Sequence, residues 1–199
     1  MNKHWVFCVT LLLPALLGAG AAHPTASPED GPQYTADGQM LFPANYRQWI
    51  YLSSGLGMSY SAGAQNMQMF DNVFVNPSAY QSFIETGRWP DKTMLVLEVR
   101  GAGSNASINK AGHFQTGERM GVEVHVKDEA RFPGKWAFFG FEEGAAPARQ
   151  VPTQAACYSC HGEHGAVDTT FVQFYPTLIG IAKQKNTLSA SYLKETAAK

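Results

Sequence analysis

Two cysteines and a histidine, in the string Cys157-Tyr158-Ser159-Cys160-His161, are the residues of this sequence best suited to chemistry. Thiols three positions apart on a helical turn face the same way. So placed, they can add to the two vinyl groups of one porphyrin, and the histidine after the second thiol comes under the iron. The string reads as c-type haem attachment. One covalently bound haem c is therefore expected on Cys157 and Cys160, with His161 as axial iron ligand.

Rival chemistries fit less well. A zinc site from Cys157, Cys160, His161 and His164 would need adjacent Cys160 and His161 as two corners of one tetrahedron, an awkward arrangement. A thioredoxin-like pair needs its first cysteine at a strand-to-helix junction, which Ala155-Ala156 does not supply. A disulfide across two residues would close too small a loop to constrain the unfolded chain. The candidates for a sixth ligand are His113, His125, His164 and several methionines, chiefly Met67, Met69 and Met94. His113 falls in a loop, and His125 shares a polar strand face with Glu123 and Lys127, so both are expected in water. His164 is too close to His161 to reach the opposite side of the ring. Methionines more often fill gaps in a core. Iron held by histidine alone keeps one position open for a small ligand.

The compartment agrees with this chemistry. Residues 1–22 read as a signal peptide: Lys3 and His4, an apolar stretch over 5–17, then small residues ending at Ala22. The apolar stretch is shorter than the roughly 20 residues a spanning helix needs, so no membrane anchor is expected. Export to the periplasm, or otherwise out of the cell, follows. Of three cysteines in 199 residues, Cys8 lies in this segment, which leaves the Cys157/Cys160 pair. A net charge of −1 without blocks of one sign excludes nucleic acid as an expected partner.

The elements that must position the motif follow from pattern. Residues 23–40 are rich in Pro, Ala, Ser, Thr and Gly and read as a flexible leader, with a single domain over 41–199. A short helix capped by Asn45 is predicted over 45–52, and a loop over 53–66. Strands are predicted over 67–75, 93–100, 120–127 and 135–142, the third with Val122, Val124 and Val126 on one face. Pro77 and Gly87 bracket a helix, and 101–117 reads as a long loop. A helix over 153–161 carries the motif, and Pro176 interrupts a second helical pattern. The class is α+β, mainly antiparallel sheet with a few helices, the haem hung from the C-terminal helical part.

Taken in order, several stretches resemble the cytochrome P-460 and cytochrome c′-beta family across residues 41–178. They are 42–49 (FPANYRQW), 73–77 (VFVNP) with Tyr80, Thr86-Gly87 to Asp91, and 93–98 (TMLVLE). Val126-Lys127-Asp128, Arg131-Phe132, Trp136-Ala137-Phe138, Pro152-Thr153, the haem string, Phe171 and Phe174-Tyr175-Pro176 continue the match. The resemblance implies an antiparallel sheet with a haem on one face, and a homodimer. In family members that oxidise hydroxylamine, a strand lysine is cross-linked to the porphyrin. The gapless match puts Leu97 at that place, and Lys92, at an odd offset, would face the other way. A carboxylate near Val151, present in some hydroxylamine oxidisers, is also missing. The chain therefore resembles the cytochrome c′-beta type more closely, which implies a five-coordinate haem in an apolar pocket that binds nitric oxide or carbon monoxide.

Leu97, with Met67, Phe70 or Phe74 from the neighbouring strand, is the expected distal wall. The leading expectation is a gas-binding cytochrome for a small gaseous or nitrogen-oxide ligand. A hydroxylamine-oxidising enzyme and a simple electron-transfer cytochrome with a periplasmic partner are the alternatives. Glu98 and Glu123 also match the family, and Arg47 and Arg100 are candidate partners for the haem propionates.

Overall fold

The computed structural model describes residues 30–59, 68–141 and 146–198. The signal segment, residues 23–29 of the leader and Met67 lie outside the described residues.

Five strands form one antiparallel sheet in chain order: β1 (Ile50–Leu56), β2 (Met69–Val75), β3 (Met94–Gly103), β4 (Phe114–Lys127) and β5 (Trp136–Phe141). Their β-branched and aromatic residues suit a pleated, packed surface. The register decides everything that follows. Leu97 on β3 lies opposite Val73 on β2 and Glu123 on β4, while Leu95 lies opposite Val75 and His125. His125 in turn pairs with Phe138 on β5. Because side chains alternate across a strand, Leu95, Leu97, Val73, Glu123, His125 and Phe138 share one face. Val96, Glu98, Phe74, Val122, Val124 and Phe139 share the other.

Each face has its own core. The face of Val96 packs against Met40, Tyr46 and Trp49 from the chain before β1. The face of Leu95 is covered in part by helix α1 (Pro77–Thr86) and by the chain after β5, around Phe83, Trp89, Val172 and Leu178. Helix α1 starts on Pro77 and stops at Gly87 as predicted. Gly87 has φ 71° and donates its N–H to Phe83 O at 2.7 Å, a left-handed cap that favours glycine. A Cβ there would also lie 2.8 Å from Lys185 Cβ.

Several boundaries differ from expectation. The predicted helix over 45–52 is a single 3-10 turn, Tyr46–Gln48, which Asn45 does not cap through its side chain, and β1 follows at once. β1 therefore takes 53–56 out of the predicted loop. The long loop over 101–117 shrinks, because β3 and β4 run on as a hairpin pairing Ala102 with Gln115. Residues 30–40, read as leader, pair Tyr34 with Met40 and Met40 with Ala148, and Met40 is fully buried. Composition hid this because one buried methionine anchors a polar segment. After β5 come α2 (Ala156–His164), a 3-10 turn at Val172–Phe174, α3 (Ile179–Gln184) and α4 (Ala190–Ala197). No helix among the described residues is long and apolar enough to cross a membrane.

Candidate functional site

Helix α2 carries Cys157, Cys160 and His161, and none of its residues is buried. Both thiols are free and half-buried. The His161 ring turns inward against Phe171 (4.1 Å between centroids), Phe138 (4.7 Å) and His125 (4.9 Å). Burial lowers its pKa, and the hydrogen bond to Thr169 acts in the opposite direction. Its Nδ1 stands 2.7 Å from the Thr169 carbonyl oxygen. A carbonyl only accepts, so Nδ1 carries the proton and the lone pair of Nε2 is free for a metal.

The carbonyl is placed by a tight reversal over residues 167–170. Thr170 N–H donates to Val167 O at 2.9 Å, and Asp168 takes φ 52°. Trp89 Nε1 donates to Thr170 Oγ1 at 2.8 Å in a buried bond, tying the reversal to the end of α1's loop. Gly165 lets it close on α2. A Cβ there would lie 2.6 Å from His161 O, 2.8 Å from Thr170 N and 2.9 Å from Thr169 C, all backbone atoms.

Between the sheet and the C-terminal segment lies an open cavity of about 120 Å³. Leu95, Leu97 and Val73 form its sheet wall, while Phe171, Phe174, Tyr175 and His161 face them. Ser53, Gly55 and Met58 border it on the β1 side. Two carboxylates, Asp71 and Glu123, also line it. Burial, and then the charge of Glu123, push the Asp71 pKa up.

The structure sorts the expected residues. Leu97 lies in the wall of this cavity. Phe70 and Phe74 do not: they pair with Arg100 and Val96, on the far face, and the Phe74 ring packs 5.6 Å from Tyr46. The physical reason is strand parity. β2 shares the Leu97 face through Asp71 and Val73, so a one-residue offset exchanges apolar rings for a carboxylate. Met67 lies outside the described residues.

His125 is a second correction. It was expected in water, yet it is 7 % exposed. Its polar strand face is roofed by the 167–171 segment, and the ring stacks on Phe138 at 4.0 Å and 8°. Burial, then the neighbouring His161, lower its pKa well below the usual histidine value. His113 is exposed, His164 pairs with Glu195 at 3.0 Å, and Met94 belongs to the core of the far face. Met69 opens β2 opposite Gly101. Lys92 sits in the turn before β3, at φ 65°, paired with Asp128. Arg47 and Arg100 point away from the cavity and bind Glu98 there, each at 2.5 Å. That placement removes them as propionate partners. Sequence reasoning missed Asp71 and Met58; pairing Leu97 with Val73 would have pointed to Asp71 by alternation.

The sequence pattern of the family described as Cytochrome P460 matches residues 43–172, a span holding all five strands and α2. The chain belongs to that family. It is a haem-binding cytochrome of α+β fold. No individual curated protein matches it significantly. The residues present fit a haem: two thiols and an imidazole share α2, Nε2 is the free ring nitrogen, and a largely apolar cavity adjoins it.

Proposed function

We propose that Cys157 and Cys160 hold one haem c through two thioethers, that His161 Nε2 binds its iron, and that the protein is exported and binds small nitrogen-oxide ligands such as nitric oxide. One observation carries this reading. The His161 imidazole is locked through Nδ1 to Thr169 at the edge of a cavity whose sheet wall centres on Leu97 rather than a lysine.

When bound, the haem supplies a metal position able to ligate a small molecule. The chain supplies the rest. Thr169 holds the proton on Nδ1 and so presents Nε2. Leu95, Leu97 and Val73 keep water from the cavity wall. Asp71 and Glu123 repel anions, whose desolvation is already costly, and so favour uncharged ligands. A periplasmic redox partner and a homodimer belong to the same proposal.

The second reading, hydroxylamine oxidation, draws on the same carboxylates. A carboxyl with a raised pKa, like Asp71, exchanges protons closer to neutrality than an ordinary one. Leu97 in place of a cross-linkable lysine weighs against it. Simple electron transfer would need a second strong ligand, for which the Met58 thioether at the cavity is the candidate.

One experiment separates the three: optical spectra of the purified ferric and ferrous protein, with and without nitric oxide. High-spin iron that changes spectrum on adding nitric oxide is expected. Low-spin iron inert to nitric oxide would overturn the gas-binding reading in favour of electron transfer. A red-shifted ferrous band would favour the hydroxylamine oxidase.

A further inference from the structure

We propose that His125 is a positioning residue for the axial imidazole, acting through Thr169; the inference rests on His161 being the iron ligand. Thr169 touches both rings. Its carbonyl oxygen accepts from His161 Nδ1 at 2.7 Å, and its hydroxyl lies 3.3 Å from His125 Nε2. The two histidine rings also meet edge to face, with centroids 4.9 Å apart and planes at 78°.

The direction of control follows from what each group is attached to. His125 lies on β4, flanked in register by Leu95 on β3 and Phe138 on β5. Its ring is stacked on Phe138 at 8° and packed 4.4 Å from Trp136. A side chain held by three strands and two aromatic rings has little freedom. Thr169 sits instead in a reversal between elements. Fixing its hydroxyl restrains the residue's own backbone, because a β-branched side chain is stiff at χ1, and the carbonyl that faces His161 is restrained with it. The sheet thus sets the histidine, the histidine sets the threonine, and the threonine sets the imidazole.

The consequence lies in the iron's electron supply. A strong hydrogen bond from Nδ1 raises the basicity of the ligating imidazole, and such outer partners are one of the main levers on a haem. Loosening the Thr169 carbonyl would weaken that bond and make His161 a poorer donor.

Three variants of the haem-loaded protein test the relay. His125→Phe keeps the stacked ring and removes its nitrogens, Thr169→Val keeps the carbonyl and removes the hydroxyl, and His125→Gln returns a polar atom. Readouts are the iron–imidazole stretching band of the ferrous protein and the reduction potential. Thermal unfolding serves as the structural control.

His125→Phe and Thr169→Val should each move the band to lower frequency and the potential to more positive values. The double variant should move them no further than either single one, and His125→Gln should restore part of the shift. Band and potential unchanged in both single variants would overturn the relay, as would fully additive shifts. If His125→Phe fails to retain haem, Thr169→Val alone decides by the same criterion. A wild-type chain that matures without haem on α2 sinks the functional reading and the relay together. A haem-loaded wild type that its variants match sinks only the relay.

Discussion

Leu97 and Glu98 are neighbours in sequence and belong to two different chemistries. Leu97 faces a cavity, while Glu98, 3 % exposed, is sealed into the opposite core. On the Glu98 side the sheet is closed by side chains that satisfy one another: the carboxylate takes Arg47, Arg100 and the Tyr46 hydroxyl. Burial alone would raise the pKa of Glu98, but the hydrogen bonds from Arg100, Tyr46 and Arg47 outweigh it and hold it below the ordinary value. On the Leu97 side the polar groups are not neutralised in this way. Asp71 faces another carboxylate, and its pKa moves in the opposite direction. One face spends its charges on stability, and the other keeps its charges and space for a ligand.

The contrast can be broken most severely at α2. Replacing Cys157 and Cys160 together by alanine should abolish covalent haem, read as loss of the c-type spectrum and of the mass increment. The far face should then still fold around Glu98. Gly165→Ala comes next. Its methyl meets three backbone atoms closer than 3.0 Å, and overpacking of this kind costs about 3 kcal/mol. Denaturant midpoints should fall, and haem retention with them.

A somewhat smaller loss is expected from the far face. Glu98→Gln leaves Arg100 without its charge partner and should cost about 2–3 kcal/mol. The Arg47 arm adds little, since that side chain is 53 % exposed and screened. The sign with pH follows from the lowered pKa. Glu98 stabilises the fold above the unfolded carboxyl value, about 4.3, and this contribution disappears as pH falls through the folded value. Acid titration of unfolding should therefore be flatter below that point in Glu98→Gln than in wild type, and nitric oxide binding at neutral pH should be unchanged.

The smallest effects form the sharpest pair. Phe74→Ala, in a half-buried ring packed on Tyr46, should cost about 2 kcal/mol of stability and leave carbon monoxide association rates alone. Leu97→Ala should cost under about 1 kcal/mol, since its side chain already borders open space, and should change those rates. If Phe74→Ala altered ligand kinetics more than Leu97→Ala did, the division of the sheet into two chemistries would be wrong.

The residues proposed to hold the haem could be named from sequence because their signal is local. Cys157, Cys160 and His161 are close in sequence, and one helical turn brings them together whatever the rest of the chain does. Helix α1, bracketed by Pro77 and Gly87, was legible for the same reason. The strand cores were legible from β-branched and aromatic runs. Strand ends were not: the hairpin extension over 101–117 is rich in Gly and polar residues and takes its order from pairing, as Ala102 with Gln115.

Chain composition and local spacing by themselves determined the α+β class, the presence of an apolar residue at position 97 and the Cys157–His161 string on which the proposed haem attachment rests. Only the tertiary structure decided which residues share the face of Leu97. That choice depends on register between strands far apart in sequence, and a shift of one residue turns a whole strand over. It put Asp71 in the cavity wall and Phe74 out of it. It also decided that His125 is buried, since what covers a strand face is a segment more than forty residues away, at Thr169.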